Sequence, residues 1–352
     1  MTVKAGIIGA TGYAGVELVR ILLRHSGVEK LFLSSVSFEG KNITEVYPNL
    51  IGQLGEKTDG LLINADKVLE NSDVVFAALP NGLAEPYALY CVEHGKKFID
   101  LSADFRFGED EETYVEYYKK AWEHKELHTE AVYGLPEMNR EKIKGARIIG
   151  NPGCYVTAST LGLLPALKAG IIDTSLIIVD AKSGVTGAGR NPTMTNQFCE
   201  CGESFSAYKV GAHRHQPEIA RNCTEAAGVK TNIIFTPHLI PQNRGILSTI
   251  YAPLVKDMSA DEIREIYSAF YKDEPFVRVL PSGVAPTTRS VRFTNYCDMQ
   301  VYAVKGGERK TLEVISVIDN MLKGSAGQAA QNMNLMYGFK ESEGIDFVPA
   351  GF

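Results

Sequence analysis

The chain has few cysteines, no typical zinc-ligand spacing and no excess of basic residues, the features typical of secreted, zinc-binding and nucleic-acid-binding proteins respectively. Its 352 residues include only six cysteines, spread too thinly for a disulfide framework. Cys199 and Cys201 are separated by one residue, where zinc sites usually have two or more. Acidic residues outnumber basic ones, and the formal net charge of -6 argues against a general nucleic-acid binder. We therefore expect reduced thiols, no bound metal and no nucleic-acid partner.

Long apolar runs are also missing. No uninterrupted apolar stretch is long enough to span a membrane, so no membrane contact is expected. The N-terminus enters a strand at Val3 and lacks the layout of a signal peptide, which favours a cytoplasmic protein. Hydrophobic content of 45% and charged content of 22% are typical of globular chains, and 352 residues predict two domains.

The first 150 residues alternate short apolar strands with amphipathic helices. Strands are predicted at 3–9, 31–35, 73–79, 97–101 and 147–150. Strands that are apolar on both faces and separated by helices predict a Rossmann-type parallel sheet in a dinucleotide-binding domain over residues 1–150. The charged, aromatic-bearing stretch at 109–130 predicts a solvated amphipathic helix.

The pattern changes beyond residue 150. Strand-like segments at 176–181, 233–237, 245–254, 291–304 and 311–319 are longer and often alternate in polarity. They predict an α+β domain with a largely antiparallel sheet over 151–319, which carries the substrate, the catalytic residues and the contacts of a homo-oligomer. A helical tail over Asn320–Tyr337 is expected to place residues 320–352 back on the first domain.

The turn after the first strand predicts a nucleotide site. Its Gly-x-x-Gly-x-x-Gly spacing allows backbone to approach a pyrophosphate, which a helix N-terminus then binds. The residues assigned to the cofactor are Gly9, Thr11, Gly12, Tyr13, Ala14 and Gly15. The second strand ends at Ser34 and Ser35 with no carboxylate before Glu39. Because hydroxyls can donate hydrogen bonds to a 2′-phosphate that a carboxylate would repel, NADP is favoured over NAD.

Cys154 is the predicted nucleophile. It follows Asn151-Pro152-Gly153 at the start of an apolar helix that Gly170 is expected to end. A thiol in the first turn of a helix lies at the positive end of the helix dipole, which favours the reactive thiolate. Its partner is predicted in His213-Arg214-His215, ahead of a helix that starts at Pro217. His213 is the preferred acid/base group and His215 the alternative, both on the same side if the segment is extended.

Three segments are candidates for binding an anionic substrate. Arg106 follows a strand of the predicted parallel sheet, where ligands of α/β proteins bind, although an ion pair with Asp104 or Glu109 is an equal alternative. Ser183 begins a glycine-rich loop that ends at Arg190 and offers N–H and hydroxyl donors. Arg214 is the third candidate.

Taken together, these segments resemble the longer form of the N-acetyl-gamma-glutamyl-phosphate reductases. The resemblance is carried in chain order by Gly9–Gly15, Leu79–Gly82, Ser102–Arg106, Tyr133–Glu137, Gly150–Tyr155, Lys182–Arg190, His213–His215 and Lys323–Gln328. The related aspartate-semialdehyde dehydrogenases share the architecture but have a different cysteine motif.

The resemblance implies NADPH-dependent reduction of an acyl phosphate to an aldehyde in arginine synthesis, through a thioester on Cys154. It implies that Asn320 lies beside the nicotinamide and that family members form tetramers or dimers. Pro80 and Gly184, in two of the matching motifs, are assigned to the cofactor, and Asn151, Ser183 and His215 to the substrate.

Three other functions fit parts of the sequence. An N-acetyl-aminoadipyl-phosphate reductase of lysine synthesis differs by one methylene in its substrate, a difference of only ~1–3 kcal/mol to a pocket. A redox-sensing NADP-binding regulator would use Cys154 as a switch, but leaves His213 and the Ser183–Arg190 loop unexplained. A cysteine acyltransferase or hydrolase leaves the glycine turn without a role.

Overall fold

The computed structural model describes residues 2–351 and divides them into two compact units. Unit 1 comprises the residues up to Pro152 together with Ser325–Phe347. Unit 2 comprises Gly153–Gly324 and the residues from Val348 onward. Over residues 2–351, no helix is both long and apolar enough to cross a membrane.

Unit 1 is built on a parallel sheet with the strand order β3-β2-β1-β4-β5-β7-β6. Its strands are β1 (Val3–Ile8), β2 (Val28–Ser34), β3 (Leu62–Ile63), β4 (Val74–Ala77), β5 (Lys97–Asp100), β6 (Val132–Tyr133) and β7 (Ile148–Gly150). Its helices before residue 152 are α1 (Tyr13–Arg24), α2 (Ile43–Val46), α3 (Ala65–Asn71), α4 (Glu85–Glu93), α5 (Glu111–Tyr118), α6 (Lys125–Glu130) and α7 (Pro136–Gly145). The predicted Rossmann-type sheet is confirmed, and the strand order reverses between β1 and β4, where such sheets bind ligands at their carboxyl ends.

Unit 2 has a mixed, largely antiparallel sheet, as predicted. Its strand order is β12-β13-β14-β11-β8-β10-β9, and only the β8–β10 and β12–β13 pairs are parallel. The strands are β8 (Ile177–Gly184), β9 (Ser206–Ala207), β10 (Ile233–Ile240), β11 (Ile246–Pro253), β12 (Val277–Val279), β13 (Cys297–Lys305) and β14 (Lys310–Ile318). The helices are α8 (Cys154–Lys168), α9 (Phe198–Cys201), α10 (His215–Ala227), α11 (Ala260–Phe270) and α12 (Thr288–Val291). Helices α8, α10 and α11 pack together and against the sheet.

Three predicted elements are wrong in detail. The strand expected at 291–304 begins only at Cys297, because Phe293 has φ +62 and the chain before it forms the short helix α12. The tail does not begin as an α-helix, because a π-helical turn at Leu322–Ala326 precedes α13 (Gly327–Tyr337). The 109–130 stretch is not a single solvated helix but α5, a connection and α6, with Tyr114 and Trp122 buried.

Helix α13 completes unit 1 with a buried polar face as well as an apolar one. Ala329, Ala330 and Met333 are fully buried. The side-chain amides of Gln328 and Asn332 both donate to the carbonyl oxygen of Gly134, at 2.8 and 2.9 Å. Because these donors have a specific acceptor, the helix is held in register as well as packed.

Candidate active site

Helix α8 begins at Cys154, as the sequence predicted. Gly153 is its N-cap residue with extended backbone angles (φ -67, ψ 145), and it provides no side-chain hydrogen bond to the first turn. No acidic residue lies in that turn, while every residue from Tyr155 to Leu167 is buried. The Cys154 side chain, which is half-buried, therefore lies at the positive end of a well-anchored helix, where a thiolate is stabilised.

Two glycines make room around Cys154. A Cβ atom on Gly153 would lie 2.5 Å from Nε2 of His215, so the imidazole occupies the space that any larger residue would need. A Cβ atom on Gly324 would lie 2.8 Å from the Cβ of Cys154 itself. The N–H of Gly153 also donates to Oε1 of the buried Glu218 at 3.0 Å, which ties the start of α8 to α10.

His213 is held as a neutral imidazole. The backbone N–H of His215 donates to its Nδ1 at 3.1 Å, so the neutral ring carries its proton on Nε2. Burial, then the neighbouring His215, Lys209 and Arg214, lower the pKa of His213 to about 2. The ring therefore offers an Nε2–H donor and resists becoming a cation.

The His213–His215 segment is not extended, and the helix begins at His215 rather than at the predicted Pro217. The backbone carbonyl of His213 accepts the N–H of Gln216, and the Nδ1 of His213 accepts the N–H of His215. These two bonds allow the helix to begin two residues before Pro217. The two imidazole rings still meet, with centroids 4.8 Å apart. Arg214, the N-cap residue between them, is half-buried.

Aromatic residues enclose the two histidines, and the sequence did not single these residues out. Tyr155, Tyr208 and Phe235 place their rings 5.8, 5.4 and 5.3 Å from that of His213. The hydroxyl of Tyr208 donates to that of Tyr155, which donates to the carbonyl of His238. Burial raises the pKa of both phenols, that of Tyr208 to about 12, so they remain protonated. Only Tyr155, which follows Cys154 in the motif, carried a local signal.

The glycine-rich loop after β8 is braced from within unit 2. A Cβ on Gly184 would lie 2.6 Å from the carbonyl oxygen of Asn243, so this position requires glycine. Asn320 accepts the N–H of Gly245 at 2.8 Å and donates to the hydroxyl of Thr186 at 3.0 Å. Ser183, also buried, donates its hydroxyl to the carbonyl of Gly184. Ser183, Gly184 and Asn320 thus lie in one local network.

The nucleotide turn of unit 1 has the geometry that a pyrophosphate needs. Gly9 has φ +89, and a Cβ on Gly15 would lie 2.1 Å from the carbonyl oxygen of Gly9. Beside Gly12, by contrast, a Cβ would approach only that carbonyl, at 3.5 Å. Helix α1 has neither a capping side chain nor an acidic residue in its first turn, which contains Tyr13 and Ala14. The backbone is tightly packed at Gly9 and Gly15, whereas the N-terminus of α1 has no capping side chain. The turn therefore fits an anionic dinucleotide.

The end of β2 lies against this turn. The hydroxyls of Thr11 and Ser35 are 2.7 Å apart, and the carbonyl of Ser34 accepts the N–H groups of Gly9 and Ala10. Both serines are buried, and they support the turn through the Ser35 hydroxyl and the Ser34 carbonyl. Val36, the next residue, is 89% exposed and begins the surface that faces outward from β2.

Arg106 and Asn151 lie together at the carboxyl ends of β5 and β7. The guanidinium of Arg106 donates to the carbonyls of Asn151 at 2.7 Å and Leu101 at 3.1 Å. The amide of Asn151 accepts from Asn332 and donates to the carbonyl of Ser325, both at 3.1 Å. Within unit 1, Asn151 therefore acts as a brace for the strand end. Pro80, after β4, is exposed.

Comparison with known proteins matches both halves of the chain. The family model described as semialdehyde dehydrogenase, NAD binding domain, covers residues 4–146, and that described as semialdehyde dehydrogenase, dimerisation domain, covers 154–320. Among curated relatives, N-acetyl-gamma-glutamyl-phosphate reductase of Clostridium beijerinckii is 48% identical over 99% of this chain and 100% of its own length. The protein of the same name from Moorella thermoacetica is 49% identical over 98% of each.

Solved structures share the fold. Aspartate semialdehyde dehydrogenase II of Vibrio cholerae aligns over 96% of this chain and 99% of its own, with a TM-score of 0.74 at 16% identity. Aspartate semialdehyde dehydrogenase with NADP from Candida albicans aligns over 96% and 99%, with a TM-score of 0.68 at 15% identity.

Proposed function

Because the chain belongs to the N-acetyl-gamma-glutamyl-phosphate reductase family, we propose that it reduces N-acetyl-L-glutamyl 5-phosphate to N-acetyl-L-glutamate 5-semialdehyde, a step of arginine biosynthesis. The observation that carries the proposal is the placement of Cys154 at the start of α8, where His215 packs against Gly153 and His213 packs against His215. Identity of 48% over 99% of the chain to a relative of that name supports the same substrate.

Cys154 forms and breaks the covalent bond to the substrate. Its thiolate attacks the acyl carbon, the carbon–oxygen bond to phosphate breaks, and inorganic phosphate leaves with the electron pair. The resulting thioester accepts a hydride, which the nicotinamide cofactor supplies when bound. The carbon–sulfur bond then breaks, releasing the aldehyde and the thiolate.

The two histidines have different proposed roles, one as a hydrogen-bond donor and the other as an acid/base group. His213 keeps its proton on Nε2 and serves as a hydrogen-bond donor to the oxygen of the reacting carbonyl, where negative charge develops. His215, whose Nε2 lies against Gly153, is placed to take the thiol proton of Cys154 and return a proton later. The hydrogen bond at Nδ1 of His213 supports this division, because that ring cannot accept a second proton without losing the bond. We therefore propose His215, the alternative in the sequence analysis, rather than His213 as the acid/base group.

We keep Arg106 and Arg214 as separate candidates for the positive charge that an anionic substrate needs. The guanidinium of Arg106 is anchored by two backbone carbonyls, and Arg214 borders the two histidines. Ser183 and the loop that follows contribute backbone and hydroxyl groups. Asn151 contributes by holding the strand end to which Arg106 donates.

The nicotinamide cofactor is NADPH in this proposal. No carboxylate lies between the end of β2 and Glu39, and the exposed residue that follows Ser35 is the uncharged Val36. The related Candida structure carries NADP by its description. We expect a higher kcat/KM for NADPH than for NADH, and Val36→Asp should lower the value for NADPH more than that for NADH. An equal loss with both cofactors would contradict the assignment.

A second copy of the chain is the expected partner of the unit 2 sheet. Helices cover one face, whereas Ile178 and its neighbour Ile234 are 38% and 50% exposed on the other. The matching family model is described as a dimerisation domain, which favours a homo-oligomer through this face. Sedimentation of the wild type should show an oligomer, and Ile234→Asp should shift it toward monomer. A wild-type monomer at micromolar concentration would refute the proposal. A cytoplasmic location remains a prediction.

The decisive assay runs the reaction in reverse, with N-acetyl-glutamate semialdehyde, NADP and inorganic phosphate. We expect NADPH to form only when phosphate is present, and Cys154→Ala to abolish it. NADPH binding without turnover would instead indicate a regulator. Faster forward turnover of the acyl phosphate that is one methylene longer would assign the chain to lysine synthesis.

A further inference from the structure

The segment 109–130 carries a buried cluster that the reaction does not use. Tyr114 and Trp122 are 2% and 8% exposed and pack with Phe107. Trp122 stacks on His128 at 4.0 Å between ring centroids, and the other side of His128 stacks on Phe105 at 4.6 Å. Since α5 and α6 are only eight and six residues long, this burial rather than helix propensity keeps the segment in place.

The segment bonds to two loops that follow neighbouring strands. The hydroxyl of Tyr114 donates to Oδ1 of Asp104, in the loop after β5, at 2.7 Å. Lys120 donates to the carbonyl of Gly82, in the loop after β4. His128 pairs with Glu85, the first residue of α4. The 109–130 segment therefore holds both loops from outside the sheet.

Asp104 joins the two loops. Its Oδ1 also accepts the N–H of Gly82 at 2.6 Å, and its Oδ2 accepts that of Ala84 at 3.0 Å. Burial and then the Asp104 charge raise the pKa of Tyr114, so the phenol keeps its proton and remains a donor. Gly82 has φ +83, and a Cβ there would lie 2.8 Å from the Lys120 side chain, so the turn is confined on both sides.

Both loops lie where unit 1 binds its cofactor. They follow β4 and β5, and β4 neighbours β1, whose carboxyl end leads into the Gly9–Gly15 turn. Ligands of parallel sheets bind at these carboxyl ends, at the reversal of strand order. Pro80, in the first of the loops, is one of the residues assigned to the cofactor.

We propose that the 109–130 segment positions the cofactor-binding edge of unit 1, and that Tyr114 does so by holding Asp104 against the Gly82–Ala84 turn. Tyr114 is a positioning residue, since it acts through Asp104. The proposal rests on the nicotinamide-binding role of unit 1 and does not depend on which acyl phosphate is reduced.

The test compares Tyr114→Phe with Tyr117→Phe. Tyr117 is a half-buried tyrosine on the same helix, and its hydroxyl is not among the donors that Asp104 accepts. Trp122 is the one tryptophan of the sequence and lies in the cluster, so its emission reports NADPH binding without turnover. We expect Tyr114→Phe to raise the Kd for NADPH about tenfold, because a hydrogen bond to a charged acceptor is lost, with kcat at saturating NADPH changed far less.

Each outcome decides the matter. A raised Kd in Tyr114→Phe, with Tyr117→Phe unchanged, supports positioning. A Kd in Tyr114→Phe within twofold of the wild type overturns it, as does an equal rise in both variants, which would indicate general loosening. Thermal unfolding of both variants sets a temperature at which each is folded. Absence of reductase activity in the wild type would refute the proposed substrate while leaving the Kd comparison intact.

Discussion

Gly153→Ala tests the proton-transfer role of His215 without touching a titratable group. The backbone angles of Gly153 (φ -67, ψ 145) suit alanine, so the substitution introduces no backbone strain. The new Cβ, however, would lie 2.5, 2.8 and 3.0 Å from Nε2, Cδ2 and Cε1 of His215. Because non-bonded carbon contacts settle at about 3.5–4.0 Å, the imidazole must move by roughly 1 Å.

We expect Gly153→Ala to lower kcat strongly and the free energy of unfolding only moderately. Overpacking of this kind destabilises by ~1–3 kcal/mol, which a fold with ~5–15 kcal/mol of stability survives. A positioned acid/base group contributes ~10²–10⁴-fold in rate, and a displacement of roughly 1 Å removes much of that. We therefore expect Gly153→Ala to lower kcat about 100-fold while leaving the Kd for NADPH unchanged.

A double-mutant cycle separates this mechanism from general damage. If the effect runs through His215, the Gly153→Ala/His215→Asn double variant should be no slower than His215→Asn alone. Gly145→Ala is the matched control, because a Cβ at that position meets nothing within 4 Å, and it should keep wild-type kcat. Near-normal turnover in Gly153→Ala, or a double variant whose loss is the sum of both singles, would refute the role assigned to His215.

Three further outcomes are expected. Cys154→Ala should bind NADPH normally in a fluorescence titration but form no thioester, and residual turnover would remove Cys154 as nucleophile. Gly324→Ala should slow alkylation of Cys154 by iodoacetamide, since its Cβ would lie 2.8 Å from the Cys154 Cβ; unchanged labelling would contradict that contact. Burial and then Asp104 raise the pKa of Asp100 to about 7, so the folded chain holds a proton that the unfolded chain releases near pH ~3.9. The free energy of unfolding of the wild type should therefore fall as pH rises from about 4 to 7, and that of Asp100→Asn should not show this fall. If urea denaturation gives the same pH dependence for both proteins, the reasoning is contradicted.

The sequence predicted the parts of the fold that local patterns encode. Apolar runs between helical patterns were enough to place the parallel sheet of unit 1, including its central strands β1, β4 and β5. Strands β3 and β6 were missed because each is only two residues long and exists through pairing with a longer neighbour. The burial of the 109–130 segment was also missed, because its aromatic residues are interspersed with charges and their contacts lie elsewhere in the chain.

The candidate site was predictable where backbone punctuation marks it. Gly153 and Pro152 indicated a helix start at Cys154, and two closely spaced histidines stood out in a chain with seven. The roles proposed for them were not predictable, since the proposal depends on the single N–H that His215 donates to His213. Glu218, like the enclosing aromatic rings, reaches the site from sequence positions distant from Cys154, so no spacing rule could have found it.

The two segments that form unit 1 are separated in the chain by most of unit 2, so they are not synthesised together. Unit 1 begins the chain, yet it includes Ser325–Phe347, and the amide of Asn151 depends on a carbonyl at Ser325 and a side chain at Asn332. Gly153–Gly324 is synthesised as one continuous stretch before those residues. Domains generally fold as they emerge from a translating ribosome, but unit 1 cannot complete its packing until Ser325–Phe347 has been made. All seven strands of its sheet are made before Gly153, but α1 and α7 lack the packing of α13 until α13 has been made.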